Sequence, residues 1–217
     1  MAVSFEKRVG VSLDKKAARE GVGVRLDKKA TGLITAELRW QSGVGTGRAD
    51  LDLFGWVVGA GTRGRKGGLK GMLGKSDALA EVVYHKHLGS LHQPPYLEHG
   101  GDSREPGVET IRVGSLDQVQ YVLFGVYQAF GNGAGSLRSF DAHVVVTDTE
   151  GNRTRVNLTE SHPNRYWVTV ALVDLTPPQG YVVRPVEEYS RPGTEKSPVL
   201  YADGHFTMNA GPRYLFK

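Results

Sequence analysis

Ala49-Asp50-Leu51-Asp52-Leu53-Phe54 alternates polar and apolar residues and runs through Gly55 into Trp56-Val57-Val58. A period of two is the pattern of a β-strand with one face in a core, because successive side chains point to opposite sides. Runs of the same kind lie on both sides of it. Leu33-Ile34-Thr35-Ala36-Glu37-Leu38-Arg39-Trp40 precedes it, and Ala80-Glu81-Val82-Val83-Tyr84 and Thr110-Ile111-Arg112-Val113 follow. Val119-Gln120-Tyr121-Val122-Leu123-Phe124-Gly125-Val126-Tyr127 is a long apolar run, suited to a central strand covered on both faces. Ala142–Thr147 and Thr154–Leu158 flank Asp148-Thr149-Glu150-Gly151-Asn152-Arg153, whose turn residues predict a hairpin. Tyr166–Val173 and Gly180–Val186 form a last pair, joined through Pro177-Pro178. Short strands, a content of 29 glycines and no convincing amphipathic helix predict an all-β fold: a two-sheet β-sandwich with few short helices.

The organisation along the chain is uneven. Val11-Ser12-Leu13-Asp14-Lys15-Lys16-Ala17 recurs as Val24-Arg25-Leu26-Asp27-Lys28-Lys29-Ala30. Two copies do not make a solenoid, which needs about three units, so each is read as a short strand ending in a polar turn. Residues 1–22 are an N-terminal arm that begins this duplication, 23–190 the sandwich, and 191–217 a C-terminal extension. The extension keeps Val199, Leu200, Tyr201, Phe206, Tyr214, Leu215 and Phe216, more aromatic and apolar content than disorder supports, so it is expected to pack on something.

Composition excludes several classes. The chain has no cysteine, so disulfides, thiolate zinc sites and a cysteine nucleophile are out. The N-terminus carries no apolar stretch of signal-peptide length, and no window approaches the roughly 20 apolar residues of a membrane span. The expected address is the cytoplasm. The basic excess behind the formal net charge of +4 lies in residues 1–30, with eight basic and four acidic side chains, and in a Gly-rich insertion at 59–75, with Arg63, Arg65, Lys66, Lys70 and Lys75 and no acid. Such a patch meets phosphate in nucleic acid or anionic lipid when it binds anything, but no stacking aromatics are interleaved, and a solvated loop is the preferred reading. Gly59-Ala60-Gly61-Thr62-Arg63-Gly64 matches a dinucleotide fingerprint, yet Arg65-Lys66-Gly67-Gly68 is a poor helix start. Gly74-Lys75-Ser76 lacks the first P-loop glycine, since Leu69 holds that place.

No nucleophile with a base beside it is evident, and the chain is read as binding rather than catalysing. Of seven histidines, His85, His87, His92 and His99 lie close in sequence. His85 and His87 suit one strand face as zinc ligands do, but no third ligand stands at a fixed offset, and they are read as surface or turn histidines. The acids say more. Asp50 and Asp52 are two apart on a strand, so they share a side about 7 Å apart and repel unless a cation sits between them. Glu98–Glu109 adds Asp102, Glu105 and Glu109 among glycines that permit tight turns. Calcium takes about six to eight oxygens, which a strand pair and a folded loop are able to supply together, but on the residues alone solvated turn acids are the preferred reading.

Three segments, in order, resemble the TerD family of bacterial tellurium-resistance and stress proteins. The first is Val24-Arg25-Leu26-Asp27-Lys28-Lys29-Ala30 leading to Leu38-Arg39-Trp40; the second is the D-L-D strand at Asp50-Leu51-Asp52. The third, His99-Gly100-Gly101-Asp102 followed by Glu109-Thr110-Ile111-Arg112-Val113, is similar to the family's H-x-G-D … E-x-I-x-V. The resemblance covers about residues 23–190. It implies a compact β-sandwich that binds calcium through acids near one end and works with protein partners including membrane-associated ones, in a family with no established enzymatic reaction. Carried over by position, Asp50, Asp52, Asp102 and Glu109 become calcium candidates, and Ser103, standing where the family often has Asn, offers a hydroxyl. The loop from Asp102 to Glu109 is shorter and less acidic than the family's, which implies weak calcium binding or none.

The expectation is therefore a calcium-dependent binding or scaffolding protein of a bacterial stress-response system. The alternative is a metal-independent assembly subunit, a homo-oligomer built through its N-terminal arm and C-terminal tail.

Overall fold

A computed structural model describes residues 10–13, 24–26, 32–41, 49–59, 80–103, 107–129, 135–178 and 180–214. The basic segment with Arg63, Arg65, Lys66, Lys70 and Lys75 lies outside the described residues, as do the polar ends of both repeat copies and most of the N-terminal arm.

The described residues form strands and no helix, so none of them makes a helix long and apolar enough to cross a membrane. In chain order the strands are β1 (Gly10–Leu13), β2 (Val24–Leu26), β3 (Ile34–Arg39), β4 (Leu51–Gly59), β5 (Glu81–Val83), β6 (Leu97–His99) and β7 (Val108–Val113). They continue as β8 (Val119–Gln128), β9 (His143–Thr147), β10 (Arg153–Asn157), β11 (Trp167–Asp174), β12 (Tyr181–Tyr189), β13 (Val199–Leu200) and β14 (Phe206–Thr207). The first sheet runs β1-β10-β9-β3-β7-β6 and the second β2-β12-β11-β8-β4-β5. Pairing is antiparallel except between β1 and β10. The two copies of the repeat each contribute one edge strand, the first to one sheet and the second to the other.

The sheets pack face to face as a sandwich. In β3 and β7 buried and more exposed positions alternate, the signature of one face in a core and one in water. Ile34, Ala36 and Leu38 of the first sheet meet Leu51, Leu53, Val57, Val122, Phe124 and Val126 of the second in one buried cluster. β4, β8 and β11 are different: they are buried almost throughout, on both faces. Their outer face carries Phe54, Trp56, Leu123 and Trp167, and the C-terminal extension lies over it with Leu200 and Met208 buried in the same cluster. Trp167 Nε1 donates to the Glu195 carbonyl at 2.9 Å, which fixes the extension to the strand it covers. The long apolar run at Val119–Tyr127 thus has its two-sided burial, and the extension supplies one of the sides.

The predicted hairpin is β9–β10. Its turn is held by Asp148, whose Oδ1 accepts the N–H groups of Glu150 (2.8 Å) and Asn152 (2.7 Å), as an Asx turn does.

Candidate metal centre

One corner of the sandwich brings the two sheets' edge strands together. β5 is an edge of the second sheet and β6 an edge of the first, and the chain crosses directly from one to the other. It first reverses in a tight turn, in which Tyr84 and His87 exchange backbone hydrogen bonds (3.0 and 2.8 Å) around His85 and Lys86. It then runs beside β6, where His99 N donates to the Leu88 carbonyl at 2.8 Å. After β6 the Gly100-Gly101-Asp102-Ser103 loop turns back towards β7. Gly101 has φ of 108°, a conformation that side chains resist, so the turn before Asp102 requires glycine there.

Two features draw this loop against β4. Gly55 of β4 faces the first sheet. A Cβ at that position would stand 2.9 Å from Leu97 Cδ2 and 3.3 Å from Ile111 Cδ1, so the bare backbone lets β6 and β7 approach. Glu109 of β7 then acts as a clamp. β5 stops at Val83, opposite Gly55, and two residues earlier on β4 the Leu53 N–H is taken by Glu109 Oε2 at 2.7 Å. Glu109 Oε1 accepts the Ser103 N–H at 3.1 Å. The carboxylate is 1% exposed and joins strand β4 of one sheet to the loop that follows β6 of the other. His99 lies beside it, fully buried, with Nε2 at 3.5 Å from Glu109 Oε2 and Nδ1 accepting the Gly101 N–H at 3.0 Å. A neutral ring that accepts at Nδ1 carries its proton on Nε2, the nitrogen facing Glu109.

The result is a convergence of Asp52, His85 and Asp102. One ligand atom from each lies within 4.8 Å of the other two. Asp52 is 1% exposed on β4, His85 is at the tip of the turn after β5, and Asp102 is exposed on the loop after β6. His85 Nδ1 stands 3.1 Å from Asp52 Oδ1, with the histidine side chain only 10% exposed. Neither nitrogen of that ring makes an aligned hydrogen bond, so the 3.1 Å approach is a close contact and not a hydrogen bond. The ring is held by aromatic packing. It meets Tyr84 edge-on at 5.3 Å, Tyr84 stacks on Phe54 at 4.9 Å, and Tyr214 of the C-terminal extension packs on both. Burial there, with Tyr84 alongside, pushes the Tyr214 phenol up to about 12.

Of the residues the sequence singled out, Asp52 and Asp102 meet. Asp50 is half-buried just before β4 and stands outside the three-way cluster; Ser103 and Glu109 are engaged with each other through the Ser103 amide. His85 was read from sequence as a surface or turn histidine. It does sit in a turn, but it points into the corner. His87 keeps to the exterior, with Nδ1 on the Val82 carbonyl at 2.7 Å. The only local hint of His85's role is its place directly after an aromatic residue at a strand end.

The donors decide which ion fits. Calcium takes about six to eight oxygens at about 2.3–2.6 Å. Here two carboxylates and an imidazole converge, while both oxygens of Glu109 hold backbone amides. Among the described residues this set is poorer in oxygen than calcium takes and includes a nitrogen donor.

No protein-family model and no curated protein matches this sequence. The crystal structure of SAV2460, a protein of unknown function, superposes with a TM-score of 0.52 at 13% identity, covering 76% of this chain and 92% of its own. The structure of SCO6318 from Streptomyces coelicolor A3(2), a homologue of telluride resistance protein (TerD), superposes with a TM-score of 0.49 at 17% identity, covering 73% of this chain and 89% of that one. A TerD homologue is thus among its structural neighbours. At 13% identity the likeness to SAV2460 establishes the fold alone.

Proposed function

We propose that this chain is a binding module of TerD type, in which a divalent cation at the Asp52–His85–Asp102 corner ties the two sheets and fixes the loop offered to a protein partner. The observation that carries the reading is the meeting of two carboxylates and an imidazole from three separate chain segments. Like charges brought this close repel, and a cation between them turns that cost into a cross-link. The exposed Asp102 side is the face a partner reaches. The setting follows from the sequence resemblance: a bacterial stress response of the tellurium-resistance kind, in the cytoplasm, with partners that include membrane-associated proteins. The role is binding and scaffolding, not turnover.

Of the two segments on which an assembly reading rests, only the described residues are placed, and these lie against the same chain. Gly10–Leu13 pairs with β10, and the described part of the C-terminal extension covers β4, β8 and β11.

The test is amide hydrogen exchange on chelator-stripped protein, with and without divalent cation. Protection of residues 100–103 should rise by about tenfold or more with the ion, the scale of a modest binding linkage. Exchange in that loop indifferent to every divalent ion tried would remove the proposal.

A further inference from the structure

We propose that the Asp52–His85–Asp102 corner selects a first-row transition-metal ion of the zinc class over calcium, with His85 as the selecting ligand. The inference rests on the cation-binding reading above and names the ion for it. Imidazole nitrogen is a ligand that zinc and its neighbours favour, whereas calcium takes oxygen. An imidazole fixed in the ring of donors therefore removes a calcium ligand and adds a zinc ligand at the same position.

The behaviour of His85 separates it from a structural histidine. Buried ring nitrogens are normally satisfied by hydrogen bonds. His99 meets that rule at one nitrogen, with Nδ1 on the Gly101 amide, while its Nε2 faces Glu109 at 3.5 Å without a hydrogen bond. His85 is nine-tenths buried, yet neither of its nitrogens has an aligned hydrogen-bond partner, and Nδ1 faces Asp52 at 3.1 Å. Nor is the ring loose. It is set at the tip of a two-residue turn and held edge-on by Tyr84, which is itself stacked on Phe54. A nitrogen donor held in place between two carboxylates loses little freedom when an ion arrives, which favours binding.

Chelator-stripped full-length protein is titrated calorimetrically with Zn2+ alone and with Ca2+ alone. Zn2+ should bind at least about tenfold more tightly than Ca2+. His85→Asn keeps a polar side chain in the turn, and it should lower Zn2+ affinity by about tenfold or more without lowering Ca2+ affinity. His85→Asp makes the donor set all oxygen and should narrow or reverse the preference. X-ray absorption on the Zn2+-loaded unmodified protein should show imidazole scattering, a readout that holds even if a variant fails to fold. Equal affinity for both ions, or zinc without imidazole scattering, overturns the selection while the cation-binding reading stands. Zn2+ binding that survives Asp52→Asn combined with His85→Asn belongs to another histidine and also overturns it. No binding of any divalent ion overturns both.

Discussion

Replacing Glu109 by Gln tests whether that residue works as a clamp between the sheets. Its two oxygens accept the Leu53 N–H at 2.7 Å and the Ser103 N–H at 3.1 Å, and the side chain is 1% exposed. Gln has nearly the same shape but one acceptor oxygen, so one of the two amides must face an NH2 group. A hydrogen bond to a charged group contributes about 1.5–3 kcal/mol, and a buried donor left unsatisfied costs a similar amount. Glu109→Gln should therefore destabilise the fold by about 2 kcal/mol, a large part of a typical 5–15 kcal/mol total and roughly a 30-fold change in the folding equilibrium. Glu109→Ala, which strands both amides, should cost about 3–6 kcal/mol. Urea denaturation followed by the fluorescence of the buried Trp56 and Trp167 measures both, and the midpoint should fall with little change in slope. A Gln variant within about 0.5 kcal/mol of the parent would refute the clamp. Loss of ion binding with stability unchanged would make Glu109 a ligand instead.

Gly55→Val should push β6 and β7 away from β4, since even its Cβ would stand 2.9 Å from Leu97 Cδ2 in a closed core; we expect a loss of about 1–3 kcal/mol in urea melts and weaker ion binding. Alkaline pH should also destabilise the protein. Burial raises the Tyr181 phenol from 10.0 to about 12, so between those values the unfolded chain releases a proton that the folded one keeps. The unfolded state then binds fewer protons, and stability falls as pH rises through that window. The effect is absent below about pH 10, and Tyr181→Phe should flatten the slope seen in pH-dependent melts.

The strands were legible because their burial is local and periodic. Ile34–Arg39 and Val108–Val113 alternate in sequence as they do in the sandwich, and the apolar run around Phe124 has the two-sided burial it suggested. Asp52 and Asp102 were legible as acids for a different reason, since each sits in a short motif, Asp52 in D-L-D on a strand and Asp102 after two glycines in a loop. Glu109 was visible as an acid but not as a clamp: that role exists because β5 ends at Val83 and leaves the Leu53 amide to be taken from the other sheet. His85 was not legible as a member of the site. Its partners come from a strand earlier in the chain and a loop later in it, so no spacing marks the three together, and only the corner where β5 crosses to β6 makes them neighbours.

An anomalous difference map, from crystals of stripped protein grown with Zn2+ and recorded on both sides of the zinc edge, would locate the ion directly. The account predicts one peak at the corner, about 2.0–2.2 Å from an oxygen of Asp52, an oxygen of Asp102 and a nitrogen of His85. A map without density there, or with zinc held only by other residues, would contradict it.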